Sequence, residues 1–221
     1  NVLGSLYPYL FAEATDAQKR NYLAPVLLGR AFGSFGLTES GAGSDQGAIV
    51  TERDRNTGLV TGGKRFITAG GGLLPADFSE IIETEDPAPG TPLHEKYVKR
   101  WNEKEYREFR EQVIKNHKIY IALPHYMIIA VRTHPKNLKK PREKIGGALL
   151  TVKEAGAEPV REGEILILSQ GWGHPTQRID VKSEEVMGNR GSGTGEFTIR
   201  DTPLSLEEDF IGDPDTGLKS F

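Results

Sequence analysis

Ala31 to Thr68 reads AFGSFGLTESGAGSDQGAIVTERDRNTGLVTGGKRFIT, and its punctuation sets the fold class. A short apolar run, Ala31 to Leu37, is followed by a polar, glycine-rich turn, Thr38 to Asp45. A second strand-like run, Ala48 to Arg53, enters a turn at Asn56-Thr57-Gly58, and a third run ends at Phe66-Ile67-Thr68. Apolar runs broken by glycine and asparagine signals are the pattern of hairpin-connected strands. Gly41, Ala42, Gly43 and Ser44 allow a ligand to approach the backbone amides, and Thr38, Ser44 and Thr68 offer hydroxyls. A loop of this kind serves structure in many β proteins and a ligand in others.

Leu37-Thr38-Glu39-Ser40-Gly41-Ala42-Gly43-Ser44-Asp45 resembles the Leu-Thr-Glu-Pro-x-Ala-Gly-Ser-Asp signature of the acyl-CoA dehydrogenase family. Lys64-Arg65-Phe66-Ile67-Thr68 resembles that family's Lys-x-Trp/Phe-Ile-Thr segment, about twenty residues further on. Ser40 stands where proline is usual. Two motifs at the expected separation are a far more specific signal than one glycine cluster. Lys118-Ile119-Tyr120-Ile121-Ala122 resembles a degraded copy of the second motif but lacks its threonine.

Outside the motifs, residues 1–30 read as helical. Thr15 with Gln18 forms a capping-box pattern, and Pro25 closes or kinks the run. Asp77 to Pro92 is acidic and proline-rich. Thr91-Pro92 then predicts a helix start, with apolar positions on one face to Ile114 and an end near Lys115-Asn116. Favourable pairs Glu95–Lys99 and Glu103–Arg107 support it. Strands are expected again at Lys118 to Ala122, Tyr126 to Arg132, Gly146 to Val152, Ile165 to Leu168, around Ile179 and Val181, and from Glu196. His134 to Glu143 is a basic loop, either a solvated surface or a contact for coenzyme phosphates or an acidic partner.

The resemblance continues through Tyr126, through Ala130 to Thr133, and through Met187 to Thr194, which is similar to the family's Gly-x-Arg-x-Ser-x-Thr turn. Val186 replaces the lysine usual before that turn. The turn reads equally as a hairpin at a barrel rim or as a ligand contact. Phe210-Ile211-Gly212 resembles Leu-Leu-Gly near the end of the family's middle domain. The stretch between about 76 and 117 has no counterpart in the resemblance.

Composition narrows the chemistry. The chain has 221 residues, a net charge of −3 and no cysteine, so no thiolate nucleophile, thiolate metal site or disulfide is available. That charge argues against a broad nucleic-acid surface. The five histidines show no metal-ligand spacing, and no P-loop or Gly-x-Ser-x-Gly elbow occurs.

The expected fold is therefore mainly β. The resemblance implies an antiparallel β barrel of the acyl-CoA dehydrogenase middle-domain type over 31–213, with a helical insertion at about 76–117. It implies that 1–30 is the tail of an N-terminal helical domain and 214–221 a linker towards a C-terminal one. It also implies FAD as cofactor, contacted by Phe35, Leu37, Thr38, Gly43, Ser44, Phe66 and Thr68, and an acyl-CoA thioester as substrate; a related acyl-CoA oxidase, or a non-catalytic binding or scaffold module that retains the fold without flavin, stands as the alternative. In that reading Phe66 shields the flavin ring and Thr38 and Thr68 bond it, while Ser44 and nearby amides meet its diphosphate side. The family's catalytic glutamate belongs to the C-terminal helical domain, so no residue here is assigned as base and no metal is expected. The implied partners are the complementary helical domains or a partner subunit, an electron-transfer flavoprotein, and further copies of the complete chain. The implied setting is the cytoplasm or the mitochondrial matrix.

Overall fold

The computed structural model describes residues 12–69, 89–92, 94–95, 102–134, 145–153, 156, 165–167, 177–184, 186–188 and 192–213. Nine strands form one sheet: β1 (Phe32–Gly36), β2 (Glu52–Arg53), β3 (Leu59–Ile67), β4 (His125–Arg132), β5 (Ile145–Lys153), β6 (Ile165–Ile167), β7 (Gln177–Ser183), β8 (Gly195–Pro203) and β9 (Phe210–Ile211). Their order is β6-β7-β8-β3-β2-β4-β5-β9, with β1 pairing to β4. Pairing is mostly antiparallel, whereas β1 and β2 both run parallel to β4. The expected mainly β fold is present, and among the described residues the sheet is open rather than closed into a barrel. β6 packs beside β5, but no described hydrogen-bond ladder joins them.

The central strand, β4, explains the layering. His125–Arg132 is buried at nearly every position, as suits a strand covered on both faces. Because successive side chains alternate, Met127, Ile129 and Val131 enter the main core with Val60, Ile67, Ala148, Leu150, Phe197 and Ile199. The opposite face carries three neighbours in turn. Ile128 packs with Leu23 and Leu149 beneath the N-terminal helical segment. Ala130 packs with Ala42, Ile49 and Ile145 beneath the motif loop. Arg132 follows two residues on, under the same loop.

The N-terminal segment, α1, combines an α turn (Asp16–Gln18), a π turn (Lys19–Leu23) and a second α turn (Ala24–Leu27). The expected capping box is present, with Gln18 N donating to Thr15 Oγ1 and Thr15 N to Gln18 Oε1. Pro25 does not stop the helix. A proline in a helix removes one amide and crowds the preceding turn, and here the widened π turn immediately precedes it. Gln18 Nε2 also donates to the carbonyls of Glu208 and Phe210, tying α1 to β9.

A long helix, α2, spans Glu103–Ala122 and corrects two expectations. It does not end near Asn116, and Lys118 to Ala122 is its last turn rather than a strand. That also removes the second, degraded motif from consideration. Thr91 does cap a turn, receiving the amides of His94 through its hydroxyl and Glu95 through its carbonyl. A second cap then starts α2: Asn102 and Glu105 exchange reciprocal side-chain-to-backbone bonds. Tyr106 and Val113 are its buried positions among the described side chains, and Glu103 pairs with Arg107 as expected. The expected Glu95–Lys99 pair lies outside the described residues, as does most of the basic loop. The expected strand from Ala48 to Arg53 becomes a 3-10 turn at Gln46–Ala48 followed by the two-residue β2.

Asp209, between β8 and β9, gives a pH-dependent prediction. It is fully buried, and its Oδ2 accepts from Ser205 N while Oδ1 has no partner. Burial, aided by the Glu208 charge, pushes its carboxyl up from 3.8 to about 6, against the opposing Ser205 hydrogen bond. A raised folded value means that the native state holds the proton more tightly than the unfolded chain. The contribution is fully present below 3.8 and is lost as pH rises through about 6. Asp209→Asn is therefore expected to melt higher than wild type at pH 7, with the difference shrinking towards pH 4. Parallel melting curves across that range would contradict it.

Candidate functional site

The motif loop is held as an excursion between two strands that share one edge of β4. β1 pairs with His125–Ile129, and β2 meets β4 at Arg132. The chain from Leu37 to Thr51 leaves that edge between them and returns.

Three anchors fix the excursion. Glu39 is buried and accepts from Lys64 Nζ at 2.6 Å, from Val50 N at 2.7 Å and from Thr51 N at 3.0 Å. One carboxylate therefore joins the start of the loop, its end and strand β3. Burial pushes the Glu39 carboxyl up, but the Lys64 charge and these hydrogen bonds together outweigh it and hold it below the usual range. Burial lowers Lys64 to about 8, against the stabilising Glu39 charge. The second anchor is apolar, Ala42 and Ile49 on Ala130 and Ile145. Arg132 is the third: its guanidinium donates to the carbonyls of Gly47 and Ile49.

The same geometry brings the two motifs together. Arg65 N donates to Thr38 O at 2.8 Å, and Gly36 sits against the side chains of Lys64 and Ile67. A Cβ at Gly36 would lie 3.1 Å from Ile129 and 3.3 Å from Lys64, so the strands need glycine to approach. The third motif joins at the end of β3. Ile67 pairs with Gly195, Ala69 N donates to Ser192 O, and the Ser192 and Thr194 hydroxyls bond each other.

The sequence-derived site residues fall into two groups. Phe35 and Leu37 are half-buried and pack against core clusters. Thr38, Gly43, Ser44, Phe66 and Thr68 border the open side of the loop and the end of β3. The hydroxyls of Thr38, Ser44 and Thr68 bond no protein group among the described residues. By contrast, Thr51, Thr57 and Thr61 all use theirs within the chain. Gly41 and Gly43 have no positive φ, and a Cβ at either would meet nothing within 4 Å. Neither backbone conformation nor packing within the chain demands glycine there. Open glycines beside unused hydroxyls fit a large polar group laid against the loop, the geometry FAD would require.

Phe66 is the strained member. It lies where the β3–β8 register shifts between Lys64 and Ile67, has φ of 58°, and is 58% exposed. A bulge of this kind re-aims a side chain, and a bulky residue in the left-handed region costs about 1–2 kcal/mol. The Arg65 guanidinium lies 4.9 Å from its ring centroid and pairs with Glu184 at 2.5 Å. Phe66→Gly is expected to leave stability unchanged or raise it by up to about 1 kcal/mol, because relief of the left-handed strain offsets the chain entropy of glycine. Urea denaturation checks this. A loss above 1 kcal/mol would show that the ring contributes to packing.

The buried ions Glu39, Lys64 and Arg132 were not singled out from sequence as structural anchors. Their only signal was charge inside otherwise apolar or glycine-rich strand segments. Among the described residues no three His, Asp or Glu side chains converge as a metal site.

No family model matches the chain. It is similar to a short-chain-specific acyl-CoA dehydrogenase from Megasphaera elsdenii, with 40% identity over 79 residues, 34% of this chain and 20% of that protein. A 3-(aryl)acrylate reductase from Clostridium sporogenes is 43% identical over 86 residues, 38% of this chain and 22% of its own length. The matched regions thus span about a fifth of these curated relatives. Among solved structures, butyryl-CoA dehydrogenase from Megasphaera elsdenii aligns with 98% of this chain and 37% of its own, at 21% identity and a TM-score of 0.52. That likeness is one of fold. Sequence similarity over about a third of the chain and a shared fold over nearly all of it relate this protein to the acyl-CoA dehydrogenases.

Proposed function

We propose that the chain supplies one wall of the flavin and acyl-CoA site of an acyl-CoA dehydrogenase, which forms an α,β double bond in a thioester. The observation that supports this most is that the hydroxyls of Thr38, Ser44 and Thr68 are unused among the described residues, while Gly41 and Gly43 of the same motif loop are not required by the chain's own packing. The chemistry a bound FAD supplies there is acceptance of a hydride from the β-carbon. The chain's own part is to position. Thr38 and Thr68 offer hydrogen bonds to the ring, Phe66 covers it, and Ser44 with the neighbouring amides meets the diphosphate side. Phe35 and Leu37 back the wall from the core.

In this reading a complementary helical wall, on the same polypeptide or a partner subunit, completes the pocket and carries the proton-abstracting carboxylate. Electrons leave to an electron-transfer flavoprotein, the complete chain assembles with its own copies, and it works in the cytoplasm or the mitochondrial matrix. Anaerobic bleaching of the flavin-loaded complete protein by a series of acyl-CoA esters tests the reaction. Bleaching with a chain-length preference is expected. A protein that binds flavin and is bleached by no acyl-CoA ester would contradict the dehydrogenase assignment.

A further inference from the structure

We propose that Arg65 is a positioning residue which, held by Glu184, braces the Phe66 ring as a preset stacking platform for a planar conjugated ligand ring. This rests on the proposed flavin wall and deepens it by assigning what holds the ring-covering residue in place. The bulge in β3 creates the arrangement. From Lys64 to Ile67 β3 advances three residues while its partner β8 advances two, from Phe197 to Gly195. Lys64 and Ile67 are both buried, so the extra residue is accommodated outward. A regular strand would send Arg65 and Phe66 to opposite faces. Here both reach solvent, with 40% of the Arg65 side chain and 58% of Phe66 exposed. Phe66 adopts a left-handed backbone at this point and gains little burial in return. Strain without a packing gain points to a use for the exposed ring.

Arg65 is fixed at both ends. Its amide donates to Thr38 O at 2.8 Å, and its Nε donates to Glu184 Oε1 at 2.5 Å, with Glu196 Oε2 3.7 Å away. Glu184 is the firm end. Its side chain is nearly buried, and its amide donates to Thr194 O at 3.0 Å, where the third motif closes. One residue thus ties all three motif segments together. The guanidinium so held lies over the Phe66 ring, 4.9 Å from its centroid. A free exposed phenyl ring loses rotamer freedom when a ligand stacks on it. The guanidinium removes that freedom in advance, and preorganisation of this kind raises affinity with no contact between Arg65 and the ligand.

The test is a pair of double-mutant cycles on FAD binding by the complete protein, combining Arg65→Met or Glu184→Met with Phe66→Leu. Arg65→Met and Glu184→Met should each weaken FAD binding by about twofold to fivefold, the scale of one exposed cation–π contact. Each should also change the visible circular dichroism of the bound flavin. In the Phe66→Leu background neither should weaken binding further. An effect of Arg65→Met that persists in full without the ring would mean a direct contact with the cofactor or a general structural role, and would overturn the proposal. Wild-type affinity in Arg65→Met would overturn it too. Arg65→Met strands the nearly buried Glu184 carboxylate; if that variant does not fold, Glu184→Met, which strands no buried charge, gives the same reading. If wild type binds no flavin, the flavin wall fails by itself. The brace is then read from the fluorine resonance of para-fluorophenylalanine in place of Phe66. A shift in both Arg65→Met and Glu184→Met would uphold it, and a resonance unmoved in either would overturn it.

Discussion

Lys64→Met is expected to destabilise the fold by about 3–5 kcal/mol, the scale for removing one partner of a buried ion pair. Both members are nearly free of solvent and 2.6 Å apart. The substitution leaves the Glu39 carboxylate buried with only the Val50 and Thr51 amides as donors. Glu39→Gln should cost somewhat less, because Lys64, already lowered to about 8 by burial, can lose its proton. The double variant should cost less than the sum of the two, since neither charge is then stranded. Denaturant unfolding of the four proteins measures the cycle, and strict additivity would show that the pair does not act as a unit. The acid limb follows from Glu39. Its folded value is held below the unfolded one, so its contribution is present above the unfolded value of 4.5 and is lost as pH falls through the depressed folded value.

Gly62→Ala is the second large effect. Gly62 has φ of 156°, and a Cβ there would come within 2.5 Å of the Thr51 Cα, a backbone atom that cannot swing aside. Thr51 is itself locked, bonding both the amide and the carbonyl of Gly63 through its hydroxyl and receiving Arg132 N at its carbonyl. The β2–β3 contact must therefore open, and a loss of about 3 kcal/mol or more is expected. Gly43→Ala is the control. Nothing lies within 4 Å of the added methyl, so its melting temperature should stay near that of wild type while flavin binding weakens. Similar stability for the two variants would mean that the loop packs differently.

The contrast between these glycines shows what the sequence could reveal. The spacing from Leu37–Asp45 to Lys64–Thr68 was enough to single out two segments that the structure brings side by side, because both motifs are local strings. The strand at Tyr126 to Arg132 was legible as an unbroken β-branched and apolar run. That the sheet stays open among the described residues was not legible, because closure depends on long-range ladders that no local pattern encodes. The boundary of α2 was misplaced for a local reason: Asn102 and Glu105 form a cap in the middle of a stretch whose apolar spacing reads as one helix. Lys118 to Ala122 alternates like a strand, yet it continues an established helix, and the next strand begins only beyond Pro124. The buried charges were the least legible feature. A glutamate, a lysine and an arginine far apart in sequence are anchors only once the loop is folded over β4.

The flavin titration of Thr38→Val with Thr68→Val tests the central claim most directly. These hydroxyls bond nothing within the described chain, so removing both should leave the melting temperature essentially unchanged. The account predicts roughly tenfold to hundredfold weaker FAD binding by the complete protein, the loss of two net hydrogen bonds of about 1 kcal/mol or somewhat more each. FAD affinity equal to that of wild type, in a double variant of unchanged stability, would contradict it.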